Sequence, residues 1–211
     1  MLLFVLITLP ILIISASIHE FAHGWIAYRL GDTTAKNAGR LTLNPIPHID
    51  PMGTILLPLT LKFISALSGG GAIFFAWAKP VPINPSLLHR PKQDIVWVSV
   101  AGIAANFLLA IIFSFLLRMR LFPLETFGWL FLNHAILINL FLGVFNAIPI
   151  PPLDGSRVLI NILPKELAYS YMRLERFGLL IILVLIYFGF FHMFILPTVL
   201  NLALILGVGR I

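Results

Sequence analysis

The strongest constraint on this chain is a run of 23 residues, Ile95–Leu117 (IVWVSVAGIAANFLLAIIFSFLL), that contains no charged side chain. An α-helix needs about 20 such residues to cross the hydrocarbon core of a bilayer. Of the whole chain, 60% of the residues are hydrophobic and only 10% are charged, against about a quarter charged in a typical soluble domain. The sequence therefore predicts a polytopic helical membrane protein embedded in the lipid bilayer.

Other apolar stretches set the expected number of spans. Met1–Leu30 and Phe127–Ile148 are long enough to cross, and the first is expected to be a retained span because no positive charge precedes it. Phe177–Ile211 is apolar with an interruption near HMFILPT, which allows a hairpin or one long span with a tail. Residues 52–67 and 70–78 are shorter and broken by SGGG, which favours a hairpin or a span with a re-entrant piece.

We therefore expect an all-α fold of about five to six spans, with a short re-entrant or β-like segment after the first span. No linker or repeat divides the chain, so residues 1–211 are predicted to form one integral-membrane domain.

The positive charges predict an orientation. The net charge is +6, from 14 Lys and Arg against 8 Asp and Glu. In a membrane protein such an excess lies in cytoplasmic loops, so it does not point to a nucleic-acid partner. Residues 29–40, 79–92 and 157–176 hold ten of the 14 positive charges, and they share one side if residues 50–78 enter the membrane and return. That side is predicted to be cytoplasmic.

Three hydrophilic side chains stand near the end of the first span, in ISASIHEFAHGWIAYRL. His19 and His23 are four residues apart, so a helix places them on one face, where both imidazoles can bind one metal ion. Glu20 lies beside them and can act as a general base, as in the His-Glu-x-x-His pattern of zinc metalloproteases. Such groups are costly within a span, so a chance cluster is improbable. The alternatives are a helix end at the membrane surface and a proton relay.

A catalytic zinc ion takes three protein ligands and keeps one open position, so a third ligand is required. The chain has no cysteine. Asp154 in FNAIPIPPLDGSRVL is the best candidate, because the prolines end the preceding helix and the charge pattern places Asp154 on the side of Arg29. An ordinary turn aspartate is the alternative for LDG. The remaining candidates are histidines in loops or in apolar surroundings: His48, His89, His134 and His192.

These segments resemble a known family. HEFAH and FNAIPIPPLDGSRVL, together with GRLTLNPIPHIDPMGTILLP, WAKPVPINP and AGIAANFLLA, are similar to the site-2 protease family of intramembrane zinc metalloproteases. The resemblance covers residues from about 15 to 160, and is strongest to small bacterial or archaeal members without appended regulatory domains. It implies an integral protein of a prokaryotic cell membrane.

The resemblance also implies the roles of individual residues. It makes His19, His23 and Asp154 the ligands of one Zn²⁺ ion, Glu20 the catalytic glutamate, and Asn146 a residue near the substrate carbonyl. The predicted function is a zinc-dependent intramembrane endopeptidase. It would cleave transmembrane segments of single-span membrane proteins near the cytoplasmic side.

A non-hydrolytic metal-binding transporter or an assembly protein is the alternative function. A transporter needs a polar pathway across the whole bilayer, whereas the ionisable residues of the spans cluster at one depth. A structural zinc site is usually closed by four protein ligands, and three good candidates are visible.

Substrate contacts are predicted at three further positions. Residues 39–45 (GRLTLNP) alternate Leu41 and Leu43 with polar residues, which favours a short strand that pairs with an unwound substrate; a surface loop is equally compatible. Asn139 lies two helical turns before Asn146 and can line the site or bond to another helix. Asn106 carries the same two alternatives.

Overall fold

The computed structural model describes residues 4–60, 63 and 77–208, and all regular structure in these residues is helical. In chain order the helices are α1 (Leu9–Arg29), α2 (Thr34–Asn37), α3 (Pro51–Thr60), α4 (Pro91–Arg118), α5 (Phe127–Asn146), α6 (Asp154–Ile162), α7 (Lys165–Met172), α8 (Gly178–Tyr187) and α9 (Leu196–Ile205).

Three helices of the described residues are long and apolar enough to cross a membrane: Leu6–Arg29, Pro91–Arg118 and Phe127–Asn146. A pair bent by 71°, Lys165–Tyr187 with Phe191–Ile205, makes a fourth if it is one broken span. Three of the predicted spans are thus confirmed. The expected count of five to six is not confirmed: α8 and α9 have only ten residues each, and part of the segment between α3 and α4 lies outside the described residues.

The segment after the first span differs from its prediction. Residues 39–45 are all described, and they contain no strand. The Asn44 amide donates to Thr42 Oγ1, and the Ile46 amide donates to Asn44 Oδ1, each at 3.1 Å. Such local bonds fold the backbone into turns instead of a ladder. The re-entrant hairpin predicted over residues 50–78 is not confirmed, because residues 61, 62 and 64–76 lie outside the described part.

Helix α4 is the centre of the bundle and packs against α1, α5 and α6. One of its faces is buried and mostly small or polar, with a residue at every fourth position: Asp94, Val98, Gly102, Asn106, Ala110 and Ser114. The opposite face exposes large apolar side chains such as Trp97 (64%) and Phe115 (65%). A soluble helix would bury such residues, so this face is in contact with lipid. The protein is an integral membrane protein.

Helix α1 turns its own buried stripe toward α4, and this stripe carries both histidines of the motif: Ile11, Ser15, His19, His23 and Ala27. Near its end, Ala27 packs with Val98 at the start of α4. Near its beginning, Ile11 packs with Ala135 of α5. Helix α1 therefore runs antiparallel to α4 and parallel to α5, so the end of α5 reaches the depth of the histidine turn.

We expect Asp32 to fasten the end of α1 to the segment before α4. Its side chain is fully buried and accepts hydrogen bonds from the backbone amides of Thr34 (2.9 Å) and Asn84 (2.7 Å). Asp32→Ala removes the acceptor of both partly buried hydrogen bonds, each of which contributes about 0.5–3 kcal/mol because the acceptor is charged. Thermal unfolding in detergent should show a clear decrease in Tm. Glu166→Ala is the control, because Glu166 is exposed; an equal decrease there would contradict the prediction.

Candidate metal centre

Three predicted ligands meet between α1 and the start of α6. The Nε2 atoms of His19 and His23 are 2.9 Å apart, and each is 3.1 Å from Asp154 Oδ2. Both histidines are buried, and the side chain of Asp154 is 15% exposed. Within the described residues, these three form the group of histidine and carboxylate side chains that could hold a metal ion.

Asp154 reaches α1 because the chain reverses tightly after α5. Helix α5 ends at Asn146, and Asp154 is the first residue of α6. A Cβ atom at Gly155 would lie 2.3 Å from the carbonyl oxygen of Ala147, so only glycine allows this close approach. Proline residues between the two helices cannot continue α5. The prediction that the prolines end the helix that precedes Asp154 agrees with this geometry.

The carboxyl group of Asp154 is held in its ionised form. Burial raises its pKa, but the neighbouring His23 and His19 rings outweigh this effect and bring the pKa below its ordinary value. Positive charge at this point, on the rings or on an ion that they hold, favours the carboxylate. Asp154 is therefore an anionic donor at neutral pH.

The protons of the two imidazoles point away from the meeting point. His23 Nδ1 lies 2.7 Å from the carbonyl oxygen of Val98, which can only accept, so Nδ1 carries the hydrogen. His19 Nδ1 lies 2.6 Å from Asn106 Oδ1 and is protonated for the same reason. In a neutral ring the other nitrogen then bears a lone pair.

The donor set therefore fits a metal ion. When both rings are neutral, the two Nε2 lone pairs and the Asp154 Oδ2 atom face one another with no hydrogen between them. Oδ2 is also buried without a hydrogen-bond partner. Three acceptors at this separation repel one another unless a cation lies among them. Two imidazoles and one carboxylate are a common ligand set of catalytic zinc, in which a fourth position stays open.

A cavity of about 190 Å³ adjoins this group, and His19, Glu20 and Asn146 all lie on its wall. Glu20 Oε2 accepts a 2.7 Å hydrogen bond from the backbone amide of Val81, which fixes the carboxylate. The Asn146 amide donates to the carbonyl oxygen of Leu142 at 3.0 Å. The predicted catalytic residues Glu20 and Asn146 therefore both line the same cavity.

The three predicted substrate-binding residues are not among those that line this cavity. Leu43 is 60% exposed and Leu41 is half-buried, and their contacts with substrate stay a prediction. Asn139 is fully buried, and its amide is paired with Ser15 and Asn106. The structure contains the bond between helices that was the second alternative for Asn139, and a contact of Asn139 with substrate stays a prediction.

Sequence reasoning missed three contacts at the centre. Two of them, from Val98 and Val81, are made by backbone atoms and leave no signal in the residue type. The third is the close approach of Gly102, where an added Cβ would lie 2.3 Å from His23 Nε2 and 2.6 Å from His19 Cε1. Its position four residues before Asn106, on the same helical face, is the signal that could have revealed it.

Membrane-spanning helices that carry a His-Glu-x-x-His turn define a class of proteins, the membrane-embedded metalloproteases. Comparison with known proteins agrees with this class. The profile of Peptidase family M50 matches residues 125–189. The chain is 40% identical over 181 residues to "Putative zinc metalloprotease YwhC" of Bacillus subtilis, a match that covers 82% of this chain and 77% of the relative. The chain belongs to the site-2 protease family, peptidase family M50.

The matches to more distant relatives cover smaller fractions of those proteins. "Putative zinc metalloprotease Rip2" of Mycolicibacterium smegmatis is 32% identical over 178 residues, which is 82% of this chain and 64% of the relative. "Zinc metalloprotease MJ0392" of Methanocaldococcus jannaschii is 31% identical over 121 residues, or 56% of this chain and 34% of the relative. No solved structure matches the chain.

We expect Gly102→Ala to abolish stable zinc binding, because its methyl group would overlap the two imidazoles. Metal analysis of the purified protein would measure this loss. Gly143→Ala is the matched control in the neighbouring helix α5, since its Cβ would lie 3.1 Å from the Phe107 ring, a smaller overlap that does not involve the imidazoles. A Gly102→Ala protein with normal zinc content would contradict the position of the centre.

Proposed function

We propose that this membrane metalloprotease cuts transmembrane segments of single-span membrane proteins near the cytoplasmic side. One observation carries the proposal: the facing acceptor atoms of His19, His23 and Asp154 adjoin a cavity that also exposes Glu20. Membership in the site-2 protease family supports it.

His19, His23 and Asp154 would hold the zinc ion. When bound there, zinc acts as a Lewis acid that polarises a peptide carbonyl and lowers the pKa of water. The three ligands leave a coordination position open for this chemistry, as catalytic zinc sites do.

Glu20 would move the proton. It takes a proton from the attacking water as the water oxygen bonds to the carbonyl carbon of the substrate. It then delivers this proton to the leaving nitrogen as the carbon–nitrogen bond breaks. The hydrogen bond from the Val81 amide holds one carboxylate oxygen and leaves the other for this transfer.

Asn146 would stabilise the negative charge that develops on the carbonyl oxygen. Its amide nitrogen gives one hydrogen to Leu142, and a second hydrogen remains available on the cavity side of the residue. A fixed donor in a partly desolvated site is an effective stabiliser of such charge.

The orientation of the site follows from the charges. The metal centre lies in the second half of the first span, which ends at Arg29 and is followed by Lys36 and Arg40. Positive loops are retained in the cytoplasm, so we place the cut near the cytoplasmic surface. The substrate must be unwound there, because a helix engages its own carbonyl groups in hydrogen bonds.

The decisive comparison is between Glu20→Gln and Asp154→Ala. Glu20→Gln should keep zinc and lower cleavage about 100- to 10,000-fold, since the general base is lost. Asp154→Ala should lose both zinc and cleavage. Zinc is measured by elemental analysis, and cleavage by immunoblotting of co-expressed single-span membrane proteins.

Glu166→Gln, at an exposed position of α7, controls for the charge change and should behave as wild type. Unchanged cleavage by Glu20→Gln would end the protease proposal. Loss of zinc from Glu20→Gln would instead contradict its role as a base.

Asn146→Ala should lower kcat about 100- to 1,000-fold, as expected for removal of one oxyanion donor. Zinc content and KM should change little, because Asn146 is not a proposed ligand. Steady-state cleavage of a purified substrate over a range of concentrations would measure both constants. Asn37→Ala, at an exposed position of α2, is the control. A rise in KM at constant kcat would assign Asn146 to substrate binding instead.

A further inference from the structure

Four polar side chains form a continuous hydrogen-bonded path through the bundle to the metal centre. Ser15 Oγ accepts from Asn139 Nδ2 at 2.9 Å, Asn139 Oδ1 accepts from Asn106 Nδ2 at 3.1 Å, and Asn106 Oδ1 accepts from His19 Nδ1 at 2.6 Å. Both asparagines are fully buried. Buried amides are costly in membrane helices unless their hydrogen bonds are satisfied, so the path links α1, α4 and α5 through satisfied pairs.

The hydrogen bond of Asn139 to a backbone carbonyl determines which atom donates and which accepts in every bond of this path. Asn139 Nδ2 also donates to the backbone carbonyl of Ala135 at 2.8 Å, and a carbonyl can only accept. Asn139 must therefore turn its Oδ1 atom toward Asn106. The Asn106 amide then points its nitrogen at Asn139 and its oxygen at His19. An oxygen beside His19 Nδ1 requires that this nitrogen carries the ring proton.

We propose that Asn106 is a positioning residue for the metal centre, aligned by Asn139. It keeps the proton of His19 on Nδ1 and so leaves Nε2 free to bind the metal ion. The inference deepens the proposed function, because it rests on the zinc site assigned there.

The two histidines depend on different kinds of partner. His23 donates to the backbone carbonyl of Val98, which cannot exchange its oxygen for a donor. His19 donates to the side-chain amide of Asn106, which can rotate by 180° and present its NH2 group instead. If the Asn106 amide turned over, its NH2 group would face Nδ1, the ring proton would move to Nε2, and His19 could no longer bind metal. Asn139 prevents this reversal by accepting from the Asn106 nitrogen.

The first test is Asn106→Leu, which has a similar size but no acceptor. Zinc affinity, measured by competition with a chelator, should fall about 10- to 100-fold, as for other supporting partners of ligand histidines. Nitrogen NMR of the metal-free protein should show a tautomer mixture at His19 and an unchanged His23. Asn106→Asp keeps an acceptor at this position, so it should retain most of the affinity and the Nδ1–H form.

The matched control is Asn133→Leu. Asn133 is also a buried asparagine of a spanning helix, but its amide donates only to the backbone carbonyl of Trp129. Its replacement should leave zinc affinity and both histidine signals unchanged. An equal loss of zinc affinity in Asn133→Leu would mean that the effect of Asn106→Leu is general destabilisation of the protein. That result would overturn the proposal.

Asn139→Leu tests the alignment step with Asn106 still in place. The Asn106 amide then has no partner that selects its orientation, so His19 should again show two tautomers and zinc should bind more weakly. This variant decides the question if Asn106→Leu does not fold. Wild-type affinity and an unmixed His19 signal in the folded variants would overturn the inference. Absence of zinc from the wild-type protein would instead reject the proposed function.

Discussion

The structure depends on the meeting of three electron-pair donors at one buried point between helices. Two imidazole nitrogens and a carboxylate oxygen lie 2.9–3.1 Å apart, and in neutral rings that carry their protons on Nδ1 no hydrogen lies among them. A cation that binds among these three atoms offsets their mutual repulsion. The residues around this point serve the same requirement: Gly102 leaves room for the rings, and Gly155 lets the chain return close enough for Asp154 to arrive.

The contacts that join the helices are also the contacts that orient the ligands. Apolar side chains gain little by packing against one another instead of lipid, so membrane helices associate through close packing and hydrogen bonds. Here the small residues of α4 permit the close packing, and Asn106 and Asn139 supply the hydrogen bonds. The same contacts therefore hold the helices of the bundle together and orient the ligands of the metal centre.

The sequence predicts the parts of this protein that depend on residue type and period. The apolar runs predict α1, α4 and α5, and the four-residue spacing predicts the shared face of His19 and His23. The predictions that failed or were left open concern local competition and depth. Thr42 and Asn44 capture nearby amides, so residues 39–45 form turns. Asn139 shares a face with Asn146 but lies about 10 Å deeper along the helix, beside Ser15 and away from the cavity.

Glu20 is carried by α1 but restrained by a peptide group 61 residues further along the chain. A graft of HEFAH onto an unrelated membrane helix would transfer two rings and a carboxyl group, yet the carboxyl group would lack its anchor. The five-letter motif is thus an incomplete description of the catalyst. The functional unit is the motif together with the distant backbone amide that fixes its carboxylate.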